Sequence, residues 1–323
     1  MYKFARPRIF ASRCLGFEAC RWNGAIINTE ITRRLAPHVD FITDCPEVAI
    51  GLGIPRDPIR IIEHEGELEL YQPANGLDLT EKMRKHTAGF LDSMPQVDGF
   101  ILQSRSPSCG PWDVKIYNGR SPKAQTLRRA AGFFGGEVLS RFGSLPVEDE
   151  GRLTNFTIRE RFYTQIFTLA EFRAVRASGR ASRLVEFMSH HKLLLMACHQ
   201  REQKTLGHIA ASHEGLPFDM VLDEFETHLL LALHNGPRRN GAINALMHAL
   251  GYFKKELKTQ EKRYFLELLD EFRNSRIPLS SLNSVIKAWI ERSDESYLRM
   301  QSFFEPYPSD LVDISDSGAG RDY

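Results

Sequence analysis

The sequence lacks most features that would assign it to a specialised class at once. No stretch approaches the roughly 18 uninterrupted apolar residues of a membrane span, so no membrane is expected as a partner. Residues 1–8 carry basic side chains with no apolar region behind them, so no secretory signal is expected and the chain reads as cytoplasmic. There is no internal repeat, no G-x-G-x-x-G and no Walker loop, so neither a nicotinamide cofactor nor a nucleoside triphosphate is expected. Cysteine is scarce, five in 323 residues, and no two form a C-x-x-C pair. In a cytoplasmic chain that argues against a disulfide framework and leaves metal or catalytic roles open. Net charge is nearly absent too, at +1, but it is unevenly spread. Residues 1–151 hold 19 Lys+Arg against 19 Asp+Glu, residues 152–300 hold 22 against 17, and residues 301–323 hold one against five. The middle segment also carries eight of the eleven histidines. Its surplus of +5 is compatible with a polyanionic partner and equally with an ordinary solvated surface.

What is present is a globular composition, 42% hydrophobic and 26% charged, in a chain long enough for two cores. Strand-like runs at Pro7–Ser12, Val39–Thr43 and Val97–Leu102 alternate with helical patterns at Asn28–Leu35 and Leu79–Met94. Ile59–Glu63 and Glu67–Tyr71 around Gly66 suggest a hairpin, Pro122–Phe142 a long helix and Leu145–Val147 a last strand. Alternation of this kind implies βαβ units and a mostly parallel, Rossmann-like sheet with flanking helices. From about Glu148 strand signals vanish. Helical periodicity covers Leu184–His199, Phe218–His234, Ile243–Leu257, Thr259–Arg273 and Leu282–Arg292. The fold class is therefore α/β plus all-α, with an α/β domain over 1–149, an all-α domain of six to eight helices over 150–305 and an acidic flexible tail over 306–323.

The chemistry concentrates at strand exits. Cys14, Cys45 and Cys109 each follow a strand-like run, and the last sits in Q-S-R-S-P-S-C-G, residues 103–110, a composition no core strand requires. Ligands of open α/β sheets lie beyond the carboxyl ends of the strands, and this rule would gather the three thiols. Three soft ligands on separate loops fit an iron–sulfur cluster held at three corners, a zinc site, or cysteines with no shared role. Pro46 suits a first helical turn, which would put Glu47 at that helix N-terminus.

R-C-L-G-x-x-x-C-R-W-N-G, D-C-P-E and S-P-S-C-G, in this order, resemble the thiouracil desulfidase family. H-H-K-L-L-L-M-A and N-A-L-M-H-A-L-G-Y-F-K-K-E-L resemble the YbgA-type helical domain, and the fusion is similar to desulfidases acting on 4-thiouridine in tRNA. This resemblance implies a 4Fe–4S cluster on Cys14, Cys45 and Cys109, with catalytic roles for Glu47 and Ser106. It also implies non-redox removal of sulfur from 4-thiouridine, and tRNA as partner of the helical half. Candidate RNA contacts there are Lys192, Arg201, Lys204, Arg238, Arg239, Lys254, Lys255 and Arg263. The rival readings are desulfidation of 2-thiouridine or free thiouracil, and a non-catalytic cluster-bearing sensor or RNA-binding protein. Cys20 reads as packing or loop support, Arg21 and Asn23 as substrate contacts or turn formers, and Ser108 as a turn residue. Cys198 reads as a small buried apolar residue. His190, His191 and His199 read as structural or RNA-contacting, because no carboxylate pattern surrounds them.

Overall fold

The computed structural model describes residues 3–121, 123–212 and 215–315, and the chain divides into two compact units. One comprises Arg6–Phe162 with residues 311–315; the other comprises residues 3–5 and Tyr163–Asp310. The division lies at 162/163, inside a helix that begins at Phe156, and not at 149/150 where the change of periodicity suggested it. Residues 306–315 are not a loose tail either. Tyr307 and Leu311 are buried, and Asp313 pairs with Arg34 at 2.6 Å. The remainder of the expected tail, 316–323, lies outside the described residues.

The first unit is the expected α/β domain. Strands β1 (Arg8–Ser12), β2 (Asp40–Asp44), β6 (Gly99–Leu102) and β9 (Val147–Asp149) form an all-parallel sheet in the order β2-β1-β6-β9. Ile9, Phe10 and Ala11 of β1 are fully buried, as a central strand covered on both faces requires. Phe10 meets Phe90, Phe100 and Phe134 at ring-centroid distances of 5.6, 5.8 and 5.2 Å, the centre of the core beneath this sheet. Helices α1 (Glu30–Leu35), α2 (Pro46–Ala49), α3 (Thr80–Ser93) and α4 (Phe133–Phe142) belong to the same unit, as does a second sheet.

A second sheet runs in the order β5-β4-β3-β7-β8. It contains the anticipated hairpin, β3 (Arg60–His64) and β4 (Glu67–Gln72), turned by Glu65 and Gly66 at φ 52° and 85°. It also contains β5 (Leu77–Asp78), β7 (Val114–Tyr117) and β8 (Thr126–Ala130). β8 corrects the long helix expected over 122–142, of which residue 122 lies outside the described residues and only α4 is helical. β8 is an edge strand with an exposed surface, held by the pairs Arg128–Glu63 at 2.9 Å and Arg129–Asp113 at 2.6 Å. Lacking a buried apolar face, it has no period-2 signature.

The second unit is all-α, as anticipated. Among the described residues it takes in α5 (Phe156–Ser178, from Tyr163), α6 (Ala181–His190), α7 (Lys192–Cys198), α8 (Gln200–Ala211) and α9 (Phe218–Leu233). α10 (Arg239–Tyr252), α11 (Thr259–Arg273), α12 (Leu279–Ser293) and α13 (Ser296–Arg299) follow. The single helix expected over Leu184–His199 is two, broken where His191 leaves helical geometry at φ −95°, ψ 6°. No described helix is long and apolar enough to cross a membrane.

One local contact positions the cysteine loop that follows β6. The start of α4 has no side-chain cap. Its orphan amides donate instead to the loop: Gly132 to Gly110 O at 2.8 Å, Phe133 to Pro107 O at 3.1 Å, and Phe134 and Gly135 to Ser108 O at 2.9 and 3.0 Å. Such proximity leaves no room for side chains. A Cβ at Gly132 would lie 2.6–2.8 Å from the carbonyl oxygens of Ser108, Pro107 and Ser106, and one at Gly135 would lie 2.6 Å from that of Cys109. Gly135→Ala should therefore destabilise the protein by about 1–3 kcal/mol in chemical denaturation. Gly136→Ala, whose Cβ would meet Ala131 Cβ at 3.4 Å, should be tolerated. Equal behaviour of the two variants would refute the close-approach account.

Candidate active site

The parallel sheet delivers its three cysteines to one place. Cys14 follows β1, Cys45 caps α2 after β2, and Cys109 closes the loop after β6; all three are buried and line a single cavity of about 170 Å³. Each loop has its own clamp. The Cys14 thiol donates to Gln103 Oε1 at 3.0 Å, and the Gln103 amide donates to Ser12 Oγ at 3.0 Å. Asp44, buried beside Cys45, accepts from Arg13 at 3.3 Å and meets His86 Nε2 at 2.7 Å. On the third loop, Ser104 donates through both its amide and its hydroxyl to Glu150, at 2.8 and 2.6 Å.

Glu47 lies in the same cavity at the first turn of α2, as Pro46 implied. Its Oε2 accepts from Arg56 Nε at 2.9 Å and pairs with Nη2 at 2.8 Å, while its Oε1 accepts from Ser108 Oγ at 2.6 Å. Arg56 also donates to Cys20 O and Gly53 O, at 3.0 and 3.1 Å. Sequence reasoning missed this arginine; no motif marks a residue nine positions after a glutamate, and only the fold reveals the pairing.

The two serines, both lining the cavity, differ in their contacts. Ser106 Oγ accepts the amides of Ser108 and Cys109 at 3.3 and 3.1 Å, so it forms the turn, and it reaches Glu47 only at 3.5 Å. Ser108, expected as the turn residue, makes the short contact to Glu47, and the two hydroxyls lie 3.0 Å apart.

Cys20 accompanies the three thiols. It is fully buried, lines the cavity and hydrogen-bonds to Cys45. Burial first, and neighbouring thiols second, push Cys20 up to about 12 and raise Cys14 and Cys109 well above an ordinary thiol. Sulfurs so desolvated are inert as free nucleophiles. A soft metal cluster displaces their protons and relieves their mutual repulsion, so the donor set fits iron–sulfur ligation. Arg21 lines the cavity with a buried Nε that has no partner among the described residues. Trp22 lies beside it, 45% exposed. Asn23 accepts from the Ala25 amide at 3.2 Å and acts in the turn.

Elsewhere, Cys198 is buried, its thiol raised to about 12 by desolvation, as a packing cysteine should be. The histidine pair does have a carboxylate, contrary to expectation: Glu171 Oε2 lies 3.1 Å from His191 Nε2 and 3.8 Å from His190 Nε2. His191 Nδ1 meets Ser302 Oγ at 2.7 Å, so this buried ring ties α5 to the segment after α13. The candidate RNA contacts Lys192, Arg201, Lys204, Arg238, Arg239, Lys254, Lys255 and Arg263 are all exposed. Three of them, Arg201, Arg238 and Arg239, line one groove; Arg263 lies 3.7 Å from Glu267, and Lys254 and Lys255 follow the end of α10.

Residues 9–150 match a family model described as 2-thiouracil desulfurase, and residues 192–308 match DUF1722, a family of unknown function. YbbK of Bacillus subtilis (strain 168), an uncharacterized protein, is 36% identical over 118 residues, 34% of this chain and 77% of that one. YbgA of Escherichia coli (strain K12), also uncharacterized, is 26% identical over 156 residues, 48% of this chain and 92% of that one. A solved structure of the 4Fe–4S-dependent thiouracil desulfidase TudS is 28% identical, covering 46% of this chain and 93% of that one at a TM-score of 0.35.

The Glu47–Arg56 pair is open to a direct test. Side-chain exposure is 11% for Glu47 and 4% for Arg56, so removing the cation strands a buried carboxylate. Arg56→Met should cost about 3–5 kcal/mol of unfolding free energy. Adding Glu47→Gln should recover part of that loss; strictly additive losses would show that the two do not act as a pair.

Proposed function

Because residues 9–150 belong to the 2-thiouracil desulfurase family and residues 192–308 to DUF1722, we propose that this chain is an iron–sulfur desulfidase that converts 4-thiouridine in tRNA to uridine. The observation that carries the reading is the convergence of Cys14, Cys45 and Cys109 with Glu47 in one buried cavity. Cys14, Cys45 and Cys109 would hold a 4Fe–4S cluster, and when bound it supplies an iron with an open position, a Lewis acid suited to a thiocarbonyl sulfur. The net exchange is hydrolytic: one water enters, the carbon–sulfur bond is replaced by a carbonyl, hydrosulfide leaves and no electrons are transferred.

The chain's own residues provide the rest. Glu47 is the base, taking a proton from the attacking water at Oε1, the oxygen not engaged by Arg56. Ser108, hydrogen-bonded to that oxygen and 3.0 Å from Ser106, can pass the proton across the cavity. Arg56 keeps Oε2 occupied and so fixes which oxygen faces the chemistry. The partly exposed indole of Trp22 offers a π face on which a pyrimidine can stack. The +5 surplus of residues 152–300 is compatible with a polyanionic substrate, for which phosphate contacts dominate affinity. A second reading, desulfidation of free thiouracil, is favoured by the family's description and by the modest cavity of about 170 Å³.

Anaerobic reconstitution with iron and sulfide, followed by nucleoside analysis of thiolated tRNA and of free thiouracil in parallel, decides between them. Loss of 4-thiouridine from tRNA with release of sulfide is the expected result. Turnover of free thiouracil alone would establish the second reading, and no sulfide from either substrate would end both. Glu47→Gln should retain the cluster's absorption and lose about 10²–10⁴-fold in turnover. Trp22→Ala should weaken transition-state binding by about 1–3 kcal/mol, read as a fall in kcat/KM.

A further inference from the structure

The junction between α6 and α7 presents two adjacent imidazoles to one carboxylate. Glu171 of α5 places Oε2 3.1 Å from His191 Nε2 and 3.8 Å from His190 Nε2. One ligating atom from each of the three residues lies within 4.8 Å of the other two. Consecutive residues of an unbroken helix point about 100° apart. Here α6 ends at His190 and His191 leaves helical geometry, and both rings address the same carboxylate oxygen, with centroids 4.6 Å apart and planes at 88°. Tetrahedral zinc holds nitrogen and oxygen ligands at about 2.0–2.2 Å, which puts neighbouring ligand atoms about 3.4 Å apart. The two separations from Glu171 bracket that value.

The surroundings orient both rings. His191 Nδ1 meets Ser302 Oγ at 2.7 Å, and His190 hydrogen-bonds to the Met300 backbone. Phe187 packs on the His191 ring at a centroid distance of 4.3 Å. Residues 300–302 are themselves fastened to the junction. The Ser302 amide donates to His190 O at 3.1 Å, Gln301 Nε2 donates to Ser189 O at 2.7 Å, and the Leu193 amide donates to Gln301 Oε1 at 3.1 Å. A second hydrogen bond on the ring is what fixes the orientation and tautomer of a metal-binding histidine. A hydroxyl both donates and accepts, so Ser302 serves the His191 ring with its proton on either nitrogen. With the proton on Nδ1, the Nε2 lone pair faces Glu171 and is free for an ion between them. His191 is buried, whereas His190 and Glu171 are half-buried, so an ion and a water can reach the cluster. Two imidazoles and a carboxylate are a zinc donor set, harder than the thiols of the α/β unit.

We infer that Glu171, His190 and His191 form a zinc site with water as its fourth ligand, joining α5 to the α6–α7 junction. The inference is independent of the desulfidase and RNA readings, because no cysteine and none of the candidate RNA contacts takes part in it.

The test counts zinc by mass spectrometry in the purified full-length protein after equilibrium dialysis against zinc chloride. Zinc held by the thiols of the α/β unit is common to wild type and variants, so the difference between them is the readout. The wild type should hold one more ion per chain than Glu171→Gln and one more than His190→Gln, each of which replaces a ligand by a side chain that still hydrogen-bonds. Thermal midpoints measured in chelator check the fold, and either variant decides the matter by itself if the other does not fold. Zinc should also raise the midpoint of the wild type more than that of the variants, because an ion that binds the folded chain stabilises it. Ser302→Ala keeps all three ligands and should weaken zinc binding about 10–100-fold through loss of the orienting hydrogen bond. Equal zinc counts in the wild type and a folded ligand variant would overturn the inference and leave the three residues as a hydrogen-bonded cluster.

Discussion

The amides at the start of α4 hold the loop from Ser106 to Gly110 by its carbonyl oxygens, and the geometry of the cysteine cavity depends on this contact. A helix start leaves four N–H groups without intrahelical partners, and a tight loop leaves carbonyls turned outward. Here each deficit satisfies the other, at the price of two glycines, Gly132 and Gly135, that let the backbones meet. Once the loop is pinned, the Ser106 hydroxyl can accept the amides of Ser108 and Cys109, and Ser108 is left facing Glu47. The third thiol, the turn and the hydroxyl nearest Glu47 are thus positioned by main-chain bonding, which no surface substitution readily perturbs.

Around that frame the site is electrically asymmetric. Several buried sulfurs and a carboxylate face inward, and the one buried guanidinium in direct contact with the carboxylate is Arg56. Glu150, itself raised by burial, lies close enough to Cys14 to oppose its ionisation further. Burial first, and the neighbouring thiols second, disfavour free thiolates against the opposing pull of Arg13 and Arg21, and a cationic metal core relieves that penalty. The serines, neutral at any working pH, add hydrogen bonds without altering that balance.

Much of this was legible in the sequence, for physical reasons. β1, β2 and β6 are apolar runs ended by Cys, Pro or Ser, and the rule placing ligands at strand carboxyl ends turned three scattered cysteines into one site. What escaped notice lacked a periodic or compositional mark. β8 is an exposed edge strand whose Arg128 and Arg129 pair with Glu63 of β3 and Asp113 just before β7, so it reads as polar helix. Which of Ser106 and Ser108 makes the shorter contact to Glu47 is a matter of loop dihedrals. The break at His191 lies inside an unbroken apolar pattern, because Leu193, Leu194 and Leu195 are buried whether or not the helix is continuous.

The path of the chain between its two units has a consequence of its own. It crosses from one to the other at 5/6, at 162/163 and again at 310/311. A cut at the middle crossing, 162/163, leaves two pieces that each contain parts of both units. The helical unit is therefore not an appendage that could be detached by one deletion, and the α/β unit receives its last described residues, 311–315, only after the whole helical segment has been made. During synthesis Arg34 and Arg159 emerge before the helical segment, and the Asp313 and Ser315 groups that bind them emerge after it. Closure of the first unit is thus deferred until the helical segment has been made.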